Sequence, residues 1–306
     1  MPTDRVVGRR ALLRGSVGLA ALAAGCSTTP AGPGAAGPTP TGPTPTDPTA
    51  SGPTPTGPTP TPTAAPTPAP TADAATVARR ATLPVLCWHQ LRDWRAADSA
   101  YSRRFLICPP AHFRAQLDAL AEDGWTTLGP DEYLAHLTGG APLPDKAVLL
   151  SFDDSQGSQV TEGLPQLRRR DMTGTFFCMT VVLDKPDWMS RDDLRRLADA
   201  GMTVAAHTWD HSRADRWSGT DWARQLQAPR ELLEKVVRRP VEHFAYPYGA
   251  WAPVDFRHLA AAGYRTAFQL ADEDLDRRRP LYTLRRTLVD STWSGADLLR
   301  QVRRPA

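Results

Sequence analysis

The 306-residue sequence has no apolar run approaching the roughly 18 residues of a membrane-spanning helix, which excludes a multi-pass membrane protein. Cysteine is scarce: Cys26, Cys87, Cys108 and Cys178 are the only four, and no CxxC pair points to zinc binding or redox work. Three cysteines remain beyond Cys26, so an exported chain has room for one disulfide, but Cys87 and Cys178 sit in apolar runs and read as buried free thiols. No GxGxxG or P-loop follows a strand pattern, which leaves nucleotide binding without support. A basic excess is also missing where it would matter. The chain carries 36 basic and 33 acidic residues, but residues 1–80 hold six of the first and three of the second. The remainder has 30 of each, and a domain that reads a phosphate backbone should not be neutral.

What the chain does have begins with an address. Residues 5–26, RVVGRRALLRGSVGLAALAAGC, run from basic through a short apolar stretch to small residues, the plan of an export signal. Arg9-Arg10 resembles a twin-arginine signal. Leu22-Ala23-Ala24-Gly25-Cys26 resembles a lipobox, which makes Cys26 the expected lipid-bearing residue and the membrane a partner. The expected location is the outer face of the cell membrane, or the cell wall if the chain is released. Fifteen of the 30 prolines then fall between Pro30 and Pro70, among Thr, Ala and Gly. This composition cannot bury a core and reads as an extended, disordered linker over residues 27–80. At about 3.1 Å per residue, residues 30–70 of it would reach roughly 125 Å. Residues 81–306 are left as one medium-sized domain.

Within that domain strand and helix signals alternate. Apolar runs occur at 83–88, 125–128, 147–152, 174–180, 203–206, 243–246, 264–269 and 282–289. Several are continuous, as strands buried on both faces should be. Helical patterns separate them: Pro110 to Gly124 with Phe113, Leu117 and Leu120 on one face, a capping box at Ser190 and Asp193, Glu231–Val237, and Pro253–Ala262. This rhythm implies a parallel sheet, and its seven or eight repeats imply a closed or partly closed β/α barrel, with a doubly wound open sheet as the alternative.

Barrels of this kind place chemistry at the C-terminal ends of strands. Four strand ends here are polar: Trp88-His89-Gln90, Ser151-Phe152-Asp153-Asp154, His207-Thr208-Trp209-Asp210-His211, and Phe244-Ala245-Tyr246-Pro247-Tyr248-Gly249. Each alone has an ordinary structural reading as a cap, a turn or a core residue. Together, Asp154, His207 and His211 form a two-His, one-carboxylate metal set, the two histidines sharing a face of a helical turn. Asp153 stands beside them as a base and His89 as a candidate acid, the parts of metal-assisted hydrolysis. A non-haem iron oxygenase also uses such a ligand set, but Asp153 has no role in one.

SFDD, HTWDH and FAYPYG resemble the first three motifs of the NodB-homology polysaccharide deacetylases, carbohydrate esterase family 4, over roughly Leu83 to Val289. The resemblance implies a distorted (β/α)7 barrel and a divalent metal, Zn²⁺ first and Co²⁺ or Ni²⁺ as alternatives, acting on an acetylated polysaccharide. It implies Asp153 as base, Asp154, His207 and His211 as metal ligands, Tyr248 as donor of an oxyanion-binding backbone N–H, and Thr208 as organiser of its loop. Three features depart from the family pattern. Ala245 stands where an Arg is usual, Ser155 where Gly is common, and no late Leu-x-His is present to supply the acid. The early LPVLCWHQL instead resembles the subgroup that deacetylates poly-N-acetylglucosamine, in which an N-terminal His supplies the acid; His89 matches it. Arg285 or Arg286 is the candidate replacement for the Arg. The activity implied is N-acetyl removal from an N-acetylglucosamine polymer, with O-acetyl ester hydrolysis or glycan binding without catalysis as the alternatives. Trp88, Trp209, Tyr246 and Trp251 are candidates for stacking on sugar rings, with core packing expected for at least half. His112, His136, His243 and His258 read as structural or surface residues.

Overall fold

A computed structural model of the chain describes residues 72–270 and 273–303. The export signal, Cys26 and the Pro/Thr-rich stretch up to residue 71 lie outside the described residues. Ten strands run in chain order: β1 (Val85–Trp88), β2 (Gln90–Leu91), β3 (Ile107–Cys108), β4 (Thr126–Thr127), β5 (Ala147–Asp153), β6 (Thr175–Cys178), β7 (Thr203–Ala206), β8 (His243–Ala245), β9 (Thr266–Phe268) and β10 (Thr287–Leu288). The α-helices are α1 (Ala74–Arg80), α2 (Pro110–Glu122), α3 (Pro130–Gly139), α4 (Leu164–Arg169), α5 (Arg191–Asp199), α6 (Ala228–Val237), α7 (Asp255–Ala261) and α8 (Gly295–Val302).

The main sheet is parallel and runs β10-β1-β5-β6-β7-β8-β9, with β4 added at the start of β5. Its two ends meet through one segment. Leu284 bridges Phe268 of β9, while Thr287 and Leu288 pair with Leu86 and Cys87 of β1. The ring therefore closes with seven staves, the distorted (β/α)7 barrel, and a single bridge makes the seam.

Side-chain alternation along each stave divides the apolar residues into two cores. Val85, Leu149, Phe177, Ala205, Ala245, Phe268 and Leu284, one from each stave, pack into one buried cluster with Val77 of α1 and Tyr133 and Leu137 of α3. Leu86, Trp88, Leu150, Phe152, Phe176, Val204 and Phe244 face the other way, onto the helices. This two-sided burial is why β5 reads as an unbroken apolar run: all seven of its residues are buried. Helix α2 begins with Pro110 in its first turn and buries Phe113, Leu117 and Leu120, each worth about 1.5–3 kcal/mol relative to exposure. The Ser190–Asp193 capping box opens α5: Ser190 Oγ accepts the Asp193 N–H at 3.1 Å and Asp193 Oδ2 accepts the Ser190 N–H at 3.0 Å.

Two boundaries differ from the sequence expectation. Helix α1 lies inside the stretch read as linker: Asp73 caps it by accepting the Thr76 N–H, and Val77 is buried, so the folded part starts before residue 81. The run 282–289 is strand only at β10, because a turn at Pro280–Tyr282 precedes it and Arg286 turns inward instead of pairing. Cys87, Cys108 and Cys178 are all buried free thiols.

Candidate active site

Asp153 ends β5, and the next two residues leave the strand in the left-handed region, Asp154 at φ 78° and Ser155 at φ 61°. That reversal keeps two adjacent carboxylates on one site, where a continuing strand would send them to opposite faces. Each left-handed non-glycine residue costs roughly 1–2 kcal/mol. Two hydrogen bonds hold Ser155 there: its Oγ–H donates to Met179 O at 3.1 Å, and its carbonyl accepts the Met189 N–H at 2.9 Å. These bonds account for Ser at a position where Gly would be free of strain. Five of the nine positive-φ non-glycine residues among the described residues are Asp154, Ser155, Thr208, His211 and Tyr248. Backbone strain is thus concentrated at this site.

The two histidines converge differently from the expectation. Residues 207–211 form a loop, not a helical turn, with Thr208 at φ 71° and His211 at φ 65°. Thr208 Oγ1 accepts the His211 N–H at 2.9 Å and folds the loop back. His207 Nδ1 lies 2.8 Å from Ala245 O. A carbonyl only accepts, so Nδ1 carries the proton and neutral His207 presents the Nε2 lone pair. That Nε2 faces Asp154 Oδ1 at 3.5 Å, and His211 Nε2 faces the same oxygen at 3.2 Å. Asp154 Oδ1 is buried without a hydrogen-bond partner, and the three ligand atoms lie within 4.8 Å of one another. A carboxylate oxygen facing an imidazole lone pair in a buried place is an arrangement that a cation completes. Burial pushes the Asp154 carboxyl up, but the two histidines outweigh it and hold it well below the usual range. Burial likewise lowers His211, yet Asp154 raises it above its ordinary value.

Asp153 has a different partner. Arg286 grips it with two parallel bonds, Nη1 to Oδ1 at 2.6 Å and Nη2 to Oδ2 at 2.8 Å. Arg286 is fully buried, bonded also to Ser151 Oγ at 3.3 Å, with its guanidinium 5.0 Å from the Phe177 ring centroid. Burial pushes Asp153 up; Arg286 and His207 outweigh it and hold the carboxyl at about 2. Of the two candidate replacements for the missing arginine, Arg286 is therefore the one that pairs with Asp153. Ala245, where the arginine was expected, has no such function; its carbonyl orients His207.

His89 follows β1 at the neighbouring strand end, half-buried, with one ring nitrogen within 4.8 Å of Asp153 and Cys87. Its Nδ1 is buried with no hydrogen-bond partner. Burial lowers its pKa against the pull of Asp154 and Asp153. Tyr248, at φ 60°, is 61% exposed and sets its ring 4.6 Å from that of His211, edge to face. Of the four aromatic candidates for stacking, Trp88 and Tyr246 belong to the core, Trp251 is tied to Gln269 Oε1 at 2.8 Å, and Trp209 is half-buried beneath Arg224. His112 and His136 lie against carbonyls, His243 sits between Asp131 and Thr266, and His258 stacks on Trp222. Sequence reasoning missed Gln159 altogether. Fully buried, it donates from Nε2 to His89 O at 2.9 Å and to Asp153 O at 2.5 Å, tying the ends of β1 and β5 together.

Residues 140–267 match the family model for polysaccharide deacetylase. Over these residues the chain has a polysaccharide deacetylase domain. The match spans Asp153, Asp154, His207, His211 and Tyr248; His89 and Arg286 lie outside it, His89 brought beside Asp153 by the pairing of β1 with β5 and Arg286 by the segment that closes the barrel. The chain is similar to the Bacillus subtilis protein YxkH, 22% identical over 216 residues, which covers 71% of this chain and 74% of that one. It is also similar to the poly-beta-1,6-N-acetyl-D-glucosamine N-deacetylase of Escherichia coli K12, 23% identical over 262 residues, covering 71% of this chain and 38% of that enzyme. In fold it resembles the Streptococcus pyogenes deacetylase PplD, with a TM-score of 0.67 and 21% identity, over 73% of this chain and 99% of that one. Deacetylases of this family are metal-dependent, and Asp154, His207 and His211 provide this domain with a possible site.

Proposed function

We propose that this domain removes N-acetyl groups from an N-acetylglucosamine-containing polysaccharide and releases acetate. The observation that carries the reading is the convergence of His207 Nε2 and His211 Nε2 on one unpartnered oxygen of Asp154, beside a second carboxylate that Arg286 keeps ionised. The likeness to an enzyme named as a poly-N-acetylglucosamine N-deacetylase supports the substrate class.

Asp154, His207 and His211 would hold the metal. A divalent ion there, Zn²⁺ or alternatively Co²⁺ or Ni²⁺, supplies a water of lowered pKa and a Lewis acid for the carbonyl. Asp153 takes the proton of the attacking water on a carboxylate oxygen, and Arg286 fixes the plane of that carboxylate. The N–H of Tyr248 donates to the oxyanion that develops on the acetamide oxygen. His89 gives a proton to the departing nitrogen, so that a free amine and acetate leave. Because burial favours its neutral form, His89 must be loaded with a proton during the cycle, and Asp153 and Asp154 are the charges that favour the loading. Hydrolysis of an O-acetyl ester needs this last step least, since an alkoxide is a better leaving group than an amide anion.

The Leu22–Cys26 lipobox would anchor the chain in the outer face of the membrane, and the linker would carry the domain toward the wall. Among the described residues, no helix is long and apolar enough to cross a membrane.

The test is acetate release from N-acetylglucosamine oligomers by the full chain after chelation, with and without added Zn²⁺, Co²⁺ or Ni²⁺. Metal-dependent release is expected. A metal-loaded, folded protein that releases acetate from O-acetylated glycans and none from the oligomers would overturn the N-acetyl assignment.

A further inference from the structure

A cleft of about 710 Å³ is lined by Gln90 and Arg95 from the segment after β1 and by Gln156, Asp187 and Trp188 from the loops after β5 and β6. Its volume lies within the range of small-molecule sites. Two of its lining residues are chain neighbours of the site: Gln90 follows His89 directly, and Gln156 is two residues after Asp154, while Gln159, in the turn that follows, bonds the carbonyls of His89 and Asp153.

The far wall is fixed in place. Gln156 and Trp188 form an antiparallel bridge, the Gly157 N–H donates to Asp187 O at 2.9 Å, and the Met189 N–H donates to Ser155 O at 2.9 Å. A side chain at Gly157 would stand 3.0 Å from that Asp187 carbonyl, so glycine permits the close approach. Trp188 is therefore held half-exposed on the same turn that positions Asp154. The charges in the cleft cancel. Arg92 is occupied by Asp98 in a fork of 2.8 and 2.9 Å, and Asp193 is taken up by the α5 cap and Arg196. Arg95 and Asp187 remain, one of each sign. Among the described residues, the side chains of Arg95, Gln156, Asp187 and Trp188 make no hydrogen bond to protein.

A rigid indole, an amide and one charge of each sign, none of them engaged, suit a ligand with an apolar ring face and many hydroxyl and amide groups but no net charge. We infer that this cleft is the subsite for a neutral N-acetylhexosamine unit next to the one that reacts, with Trp188 as its stacking platform. The inference rests on the polysaccharide reading above and narrows it to a polymer whose neighbouring unit bears no carboxylate.

The experiment uses the full-length, Zn²⁺-loaded Asp153→Asn chain, titrated calorimetrically with a β-1,6-linked pentamer of N-acetylglucosamine. A peptidoglycan fragment, in which every second sugar carries a carboxylate, is titrated in parallel. Trp188→Ala in this background should weaken pentamer binding about tenfold and Trp188→Phe distinctly less, with the pentamer binding tighter than the acidic fragment. If Trp188→Ala lowers the melting temperature, Gln156→Ala serves instead, with a several-fold loss expected. Pentamer affinity unmoved by these variants, or tighter binding of the acidic fragment, overturns the subsite. Acetate release from the pentamer by the parent chain is measured separately. Release with Trp188-independent binding would sink the subsite and leave the deacetylase reading standing. Absence of release with Trp188-dependent binding would do the reverse.

Discussion

Arg286 and Asp153 are 133 residues apart in sequence and meet in a two-pronged ion pair of 2.6 and 2.8 Å, both side chains buried. The arginine sits on the segment that closes the barrel between β9 and β1, so ring closure and the ionisation of Asp153 depend on the same few residues. Removing it as Arg286→Met should leave a carboxylate buried without a counter-charge, at a cost of about 3–5 kcal/mol. Arg286→Lys keeps the charge but loses the fork, so it should unfold closer to the parent while kcat still drops by about tenfold or more. Thermal unfolding beside acetate-release kinetics measures both. A fully active Arg286→Lys would mean that charge alone, not the plane of the carboxylate, is what Asp153 needs.

Asp153→Asn separates the base from the ligands. The amide accepts no proton from water, so the rate should fall by about 10²–10⁴. Zn²⁺ affinity should stay near that of the parent, because Asp154, His207 and His211 are intact. Calorimetric metal titration and acetate assay on one preparation check the pair of outcomes. Near-parental turnover would remove Asp153 from the base role.

Much of this site could be read from local sequence, and the reason is physical. A parallel barrel stave is buried on both faces, so β5 announces itself as AVLLSF, and the polar pair that ends it falls where barrels place chemistry. His207 and His211 follow β7 for the same reason. The local geometry was less legible. Spacing of four suggested a helical turn, whereas two left-handed residues and the Thr208 hydroxyl make a loop that brings both Nε2 atoms to Asp154. Pairings across the chain left only faint traces. Arg286 was one of two adjacent arginines with no way to choose between them, and Gln159 carries no motif, since its role is to bond two carbonyls that approach only in the folded barrel. Helix α1 was hidden by its neighbours: it continues directly from a Pro/Thr-rich stretch, and only the Asp73 cap and Val77 mark it.

His207→Ala deletes a ligand whose orientation is already set by Ala245 O, and Zn²⁺ affinity should fall by about 10- to 100-fold or more. Protons should act in the same direction. Asp154 raises the pKa of His211, so as pH falls through that raised value a proton occupies the Nε2 that the metal needs. Metal affinity of the parent should therefore weaken toward acid, as read by competition with a chelator of known pH dependence. Affinity that is flat with pH and indifferent to His207→Ala would remove the histidines from the ligand set.

Asp255 provides a pH effect remote from the metal ligands. It is fully buried at the start of α7, where burial and the nearby Asp215 push its carboxyl up to about 6 although its Oδ2 accepts the Ala252 N–H. The same group titrates near 3.9 when unfolded. Between about pH 4 and pH 6 the folded chain holds a proton that the unfolded chain has released, so stability falls as pH rises through that window and stays lower above it. The difference is on the order of 1–3 kcal/mol. Asn keeps an acceptor for the Ala252 N–H and has no charge to bury. Asp255→Asn should thus melt higher than the parent at pH 8 and match it near pH 4, with metal chelated throughout so that its loss does not contribute. A difference in melting temperature that is the same at both pH values would show that Asp255 is already neutral, or already well solvated, across the whole range.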